Sequence, residues 1–298
     1  MRAPLTCSRR LRPLSRKAGV LLVLVTVAAG CGGEDEPLAS GGDVAAAAGT
    51  SAGSGGQAGG GAAGAAGAAG ESAGAAGAAM IEGYQVWSGD DGAEYGLYLP
   101  GAAAGGQPPV VMYLHGCQGD PIADHPWFIE PLNEIEPTAV FFPKRPRDEG
   151  CSAWGGTYDI TLRPAMEAAL AELGEVMSER HLDDERQYLY GDSMGAEGVF
   201  KLLVEFPGRF AGAIAVAGYT LDTGADSMAL TALWMFHGSE DTVNPTSSSR
   251  MIYQSILEAG GERVRYTEYP GLDHSSIWGR VPSEPDLCEW LLSQRRQP

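Results

Sequence analysis

The five residues Gly191-Asp-Ser-Met-Gly195 form a G-x-S-x-G motif. Before it, the run Gln187 to Tyr190 has strand character, and after it Val199, Leu202 and Leu203 recur at helical spacing, which is the setting of a nucleophilic serine at a strand-to-helix turn. Its glycines suit a sharp turn where neighbouring β-carbons would clash. In a glycine-rich domain the same letters also arise as an ordinary tight turn, so Ser193 needs partners to mean chemistry. A serine hydroxyl attacks a carbonyl only when a base takes its proton and a carboxylate holds that base in one tautomer. In this setting the acid follows the serine in the chain and the histidine comes last. His274 is the one histidine in a loop after the final strand run, lifted out by the turn Tyr269-Pro-Gly-Leu-Asp273. One strand earlier, Trp234 to Asp241 closes on two acids, Glu240 and Asp241.

Acyl transfer also needs backbone N–H donors for the developing oxyanion. Met194, directly after the serine, supplies one, and the loop closing Val110-Val-Met-Tyr-Leu-His-Gly-Cys117 supplies the other from Gly116 or Cys117. His115 there is expected to order the loop. Trp127, Trp154 and Trp278 fall in loops at strand C-terminal ends, where they either bracket a substrate or pack the loops. There is no metal-ligand spacing, phosphate loop or dinucleotide fingerprint, so no cofactor is expected.

The elements that must position these groups alternate. Strand runs at Tyr84 to Trp87, Glu94 to Leu99, Val110 to Leu114, Ala139 to Phe142, Gln187 to Tyr190, Ala211 to Val216, Leu233 to Phe236 and Val264 to Tyr269 are separated, from the third on, by helical patterns. That predicts a mostly parallel sheet covered by helices. Most runs are continuously apolar, as strands buried on both faces are. Pro164 and Pro245 are expected to open helices, and Ser283 with Asp286 to cap the last one, with Arg295 and Arg296 at its end.

The chain divides into 1–30, 31–79 and 80–298. Residues 1–17 carry six basic residues and no acid, ahead of the apolar run Val20 to Ala29, which reads as an export signal too short for a membrane span. Ala28-Ala-Gly-Cys31 resembles the cleavage site of bacterial lipoproteins, which makes Cys31 the lipidated residue and a lipid anchor the contact with a membrane. That resemblance implies a cell-envelope location, the outer membrane in a diderm bacterium; ordinary cleavage and secretion is the alternative. Residues 31–79 are almost entirely Gly, Ala and Ser and form a tether. The rest is expected to be one domain. Without the leader the net charge moves from −18 to −24, with 14 basic against 38 acidic residues, which disfavours nucleic acid as a partner.

The pieces LHGCQGD (114–120), GDSMG (191–195), HGSEDTVNP (237–245) and YPGLDHSSIW (269–278) resemble secreted α/β-hydrolase carboxylesterases of the polyhydroxybutyrate depolymerase and feruloyl esterase group. They are also similar to predicted peptidases of prolyl oligopeptidase type. The resemblance runs from Tyr84 onward and implies the α/β-hydrolase fold, helices on both faces of the sheet. Ala217 to Leu230 is too short for a large lid domain. Residues 237–245 resemble the HGxxDxxVxP pattern of that superfamily, which points to Asp241 over Glu240 and leaves His237 a structural residue. In the group resembled, a Cys after the HG pair bridges one preceding a Trp, which implies Cys117 with Cys151 and leaves Cys288 free. The expected activity is hydrolysis of small or polymeric carboxylic esters, its rate falling as His274 is protonated. A peptidase of prolyl oligopeptidase type and a non-catalytic tethered binding module are the alternatives.

Overall fold

Successive strand residues point to opposite faces of a sheet, and here both faces are apolar. Val110, Met112 and Leu114 join one hydrophobic cluster while Val111 joins the other; Leu189 is divided in the same way from Tyr188 and Tyr190, and Leu233 and Met235 from Trp234 and Phe236. Two cores follow, one on each side. The computed structural model describes residues 79–81, 83–90, 92–100, 106–117, 119–144, 154, 164–220 and 224–297.

The strands are β1 Ala79–Ile81, β2 Tyr84–Ser88, β3 Glu94–Tyr98, β4 Val110–Leu114, β5 Ala139–Lys144, β6 Gln187–Asp192, β7 Gly212–Val216, β8 Ala232–Gly238 and β9 Val264–Tyr269. They form one sheet in the order β1-β2-β3-β5-β4-β6-β7-β8-β9. The β1–β2, β2–β3 and β3–β5 pairs are antiparallel and the rest are parallel. The helices are α1 Ile129–Ile135, α2 Pro164–Arg180, α3 Met194–Glu205, the single turn α4 Ala225–Met228, α5 Thr246–Glu258 and α6 Leu287–Ser293. Side chains of α2, α3 and α5 enter one core, and those of α1 and α6 the other. Every residue of β7 and β8 is buried, which explains their uninterrupted apolar runs. This is the mostly parallel, helix-covered sheet expected from the alternation, in the α/β-hydrolase arrangement that the resemblance implies.

Three local expectations change. β1 starts at Ala79, inside the stretch read as tether, and pairs Ala79 with Val86. Pro245 is extended and sits just before α5 rather than in its first turn. The last helix begins at Leu287, not behind Ser283. Glu284 precedes Pro285, whose ring forces it out of the helical region to φ −70°, ψ 121°, so the short 3-10 turn Val281–Ser283 cannot continue into α6. At the other end, Arg295 Nη1 donates to the carbonyl of Leu292 at 2.6 Å, as a cation at a helix C-terminus should.

The leader, Cys31, the tether up to residue 78 and Cys151 lie outside the described residues. No helix among the described residues is long and apolar enough to cross a membrane.

Candidate active site

Ser193 occupies the junction of β6 and α3 with φ 52° and ψ −114°, a strained conformation for a residue with a side chain. Packing enforces it. A β-carbon on Gly195 would lie 1.8 Å from the Leu114 carbonyl oxygen, and one on Gly191 would lie 2.3 Å from that of Gly195. β4, β6 and the start of α3 thus approach more closely than any other residue type allows, and the Ser193 amide donates to Val216 of β7 at 2.8 Å.

His274 reaches the serine from the loop after β9. Ser239 N donates to the Tyr269 carbonyl at 3.0 Å and Glu240 N to that of Leu272 at 2.9 Å, so this loop is stitched to the end of β8. Gly238 makes the approach possible, because a β-carbon there would stand 2.2 Å from the Leu272 oxygen. The outcome is a continuous chain. Ser193 Oγ lies 2.9 Å from His274 Nε2, and His274 Nδ1 lies 2.7 Å from Asp241 Oδ2. A carboxylate accepts, so Nδ1 carries the imidazole proton and Nε2 is free to accept from the serine.

Asp241 has a fully buried side chain. Its Oδ1 accepts the amides of Val243 and Asn244, each at 2.8 Å, which fixes the carboxylate plane. Glu240, the other acid of the segment, is exposed and makes no such contact with the imidazole. His237 is fully buried below Asp241, with Nε2 3.1 Å from the Asn244 carbonyl and Nδ1 2.7 Å from Ser249 Oγ. Burial pushes its pKa below the usual imidazole value.

The remaining expected residues divide. Gly116, Cys117 and Met194 line the same cleft as Ser193 and His274, a space of about 650 Å³. Met194 is the first residue of α3, so its N–H has no acceptor within the helix. A β-carbon on Gly116 would lie 3.2 Å from the Asp192 oxygen and 3.6 Å from Ser193 Cβ, which puts Gly116 against the serine. Trp127 and Trp278 also line the cleft, and Trp278 packs edge-on against His274 at 5.4 Å. Trp154 does not. It is fully buried, packs edge-on against His115 at 5.3 Å and donates Nε1–H to the His115 carbonyl at 2.9 Å. The substrate contact expected of Trp154 is therefore corrected to loop packing, and His115 orders the loop with it.

Cys117 is held in a disulfide; Cys151, the partner implied by the resemblance, is outside the described residues. Cys288 is free and buried, and burial raises its thiol to about 12. No group of residues that could hold a metal ion occurs among the described residues.

Sequence reasoning passed over Tyr113, Asp192, Glu197 and Asn244, all of which line the cleft. Asp192 stood in plain view as the variable residue before the serine. Its direction becomes apparent only once β4 lies beside β6.

The family described as Esterase PHB depolymerase matches residues 93–247, just over half of the chain. A thermostable esterase of known structure is similar at 25% identity and a TM-score of 0.65, over 72% of this chain and 64% of that one. The chain thus spans less than two thirds of that esterase. An acetyl xylan esterase from Aspergillus awamori (17% identity, TM-score 0.56, 70% and 98% covered) and an S-formylglutathione hydrolase from Agrobacterium tumefaciens (17%, 0.54, 74% and 99%) share the fold. No curated protein matches by sequence.

Proposed function

Because this chain belongs to the esterase PHB depolymerase family, we propose that it is a serine esterase that cleaves carboxylic esters through an acyl-enzyme on Ser193. The observation that carries the proposal is the unbroken relay from Ser193 Oγ through His274 to Asp241, at 2.9 and 2.7 Å. His274 takes the serine proton as Oγ attacks the ester carbonyl, and the carbonyl oxygen becomes an oxyanion. The amides of Met194 and of Gly116 or Cys117 stabilise that charge. His274 then gives its proton to the leaving alcohol, and water repeats the sequence to free the acid. Asp241 holds the imidazole in the productive tautomer throughout.

Trp127 and Trp278 form walls for the ester's organic groups, and a bridge from Cys117 to Cys151 braces the oxyanion loop. Residues 1–30 direct export, Cys31 carries the lipid anchor in the cell envelope, and the glycine- and alanine-rich tether holds the enzyme off the membrane surface. Membership of an esterase family favours esters over peptides.

The test is hydrolysis of p-nitrophenyl esters from acetate to palmitate by the protein and its Ser193→Ala variant, with fluorophosphonate labelling in parallel. Turnover and labelling that both vanish in the variant support the reading. A protein that neither turns over nor labels is a binding module on this fold instead.

A further inference from the structure

The cleft wall beside the nucleophile carries a pair of residues that the acyl-transfer steps do not use. The Tyr113 hydroxyl, at the cleft end of β4, donates to Asp192 Oδ2 at 2.7 Å, and Asp192 directly precedes Ser193. Neighbouring strands create the pair, since Tyr113 sits opposite Tyr190 in the parallel β4–β6 register, two residues before Asp192. Tyr113 is itself immobilised by edge-on contacts with Phe128 at 5.4 Å, Phe142 at 6.1 Å and Tyr190 at 5.7 Å. Asp192 is only partly buried and lines the cleft, and among the described residues its Oδ1 receives no hydrogen bond.

Apart from His274, the charged side chains that line the cleft among the described residues are acidic. Asp124 and Glu197 line the same space, and among the described lining residues there is no lysine or arginine; His274 is the only basic group. Aromatic walls exclude water and lower the local dielectric, which strengthens any charge interaction with a bound group.

We propose that the Tyr113–Asp192 pair is a specificity determinant: it favours esters whose acyl chain carries a hydrogen-bond donor or a cation, and rejects esters whose acyl chain carries a carboxylate. The proposal rests on the serine-esterase reading above. An anion in the cleft would lose water and meet Asp192 with no lysine or arginine among the described lining residues to offset it. A hydroxyl or ammonium group would instead satisfy the open oxygen.

Burial raises the Asp192 carboxyl to about 7, so the rejection of anions should strengthen as pH rises through neutrality. The other titratable groups that line the cleft with Asp192, among the described residues, are Tyr113 on β4, Tyr190 on β6, Glu197 on α3, Asp124 before α1 and His274 after β9. Both tyrosines are pushed well above their ordinary range and stay protonated there. Because every ester needs the same His274, its titration cancels in a ratio of two substrates.

The experiment uses three methyl esters with the same three-methylene chain: methyl pentanoate, monomethyl glutarate and methyl 4-(trimethylammonio)butanoate. Methanol release is followed with the full chain and with Asp192→Asn and Tyr113→Phe. At about pH 8 the wild type should hydrolyse the glutarate with kcat/KM roughly tenfold or more below the neutral ester, and the cationic ester at least as fast as the neutral one. The neutral-to-anionic ratio should shrink by about fivefold or more in Asp192→Asn, in Tyr113→Phe, and in the wild type at about pH 6. Equal hydrolysis of the neutral and anionic esters by the wild type at pH 8 overturns the proposal, as does a ratio unchanged by Asp192→Asn. Should Asp192→Asn fail to fold, an unchanged ratio in Tyr113→Phe together with a pH-independent wild-type ratio overturns it equally. Failure of the wild type to hydrolyse the neutral ester would instead remove the esterase reading beneath it.

Discussion

His237 Nε2 lies 3.2 Å from Asp241 Oδ2, the same oxygen that accepts from His274 Nδ1. The Asn244 carbonyl, 3.1 Å from that nitrogen, can only accept, so Nε2 carries the proton and Nδ1 accepts from Ser249. His237 is thus a neutral donor that holds the acid from beneath.

That role predicts the effect of His237→Asn. Losing a donor to Asp241 leaves its carboxylate freer to stabilise protonated His274, so the acid limb of the kcat/KM profile should move to higher pH. kcat should fall by about tenfold with KM changed far less, because the loss concerns orientation and not substrate binding. Steady-state kinetics across pH would check this, and an unmoved acid limb would rule out a positioning role.

Two glycines should fail differently. Gly195→Ala forces a β-carbon to 1.8 Å from the backbone of β4, inside the sheet-to-helix packing, and should destabilise the fold by on the order of 3 kcal/mol, read as a lower midpoint of thermal unfolding. Gly238→Ala pushes on the Leu272 carbonyl at the sheet edge and displaces the His274 loop. It should keep its circular dichroism spectrum and lose about a hundredfold in kcat.

Asp192 makes stability depend on pH. Its folded pKa of about 7 lies above the ordinary carboxyl value, so the native state binds this proton more tightly than the unfolded chain does. Its contribution is fully present below about pH 4 and is lost as pH rises towards 7. Asp192→Asn removes that loss. Urea unfolding at several pH values should show the variant gaining on the wild type between these limits by up to a few kcal/mol, with no further gain above.

Cys288, buried in α6 with its thiol raised to about 12, should be inert towards a disulfide reagent in the native state and react promptly in denaturant. Ellman titration with and without guanidinium checks this, and rapid native labelling would contradict the packing of α6.

Local signals made much of this protein legible without its structure. The glycines around Ser193 report a turn that spans five residues, the apolar strand runs report burial on both faces, and the turn before His274 lifts it from the sheet. Each depends on neighbours in the chain. The spacing of strands and helices was therefore enough to anticipate the layered fold, and the order of serine, acid and histidine to anticipate the candidate relay.

Contacts between distant segments were another matter. Glu240 and Asp241 are adjacent, and the residues alone left both open until the resemblance favoured Asp241; the hydrogen bonds that fasten residues 239–240 to 269–272 determine which one meets His274. For Trp154 the sequence leaves substrate contact and loop packing both open, because loop position does not reveal which way a ring packs, and its burial against His115 is a tertiary fact. The Tyr113–Asp192 pair was invisible for a similar reason. Strand alternation tells which residues share a face, but only the placement of β4 beside β6 brings together two side chains that are 79 positions apart in the chain.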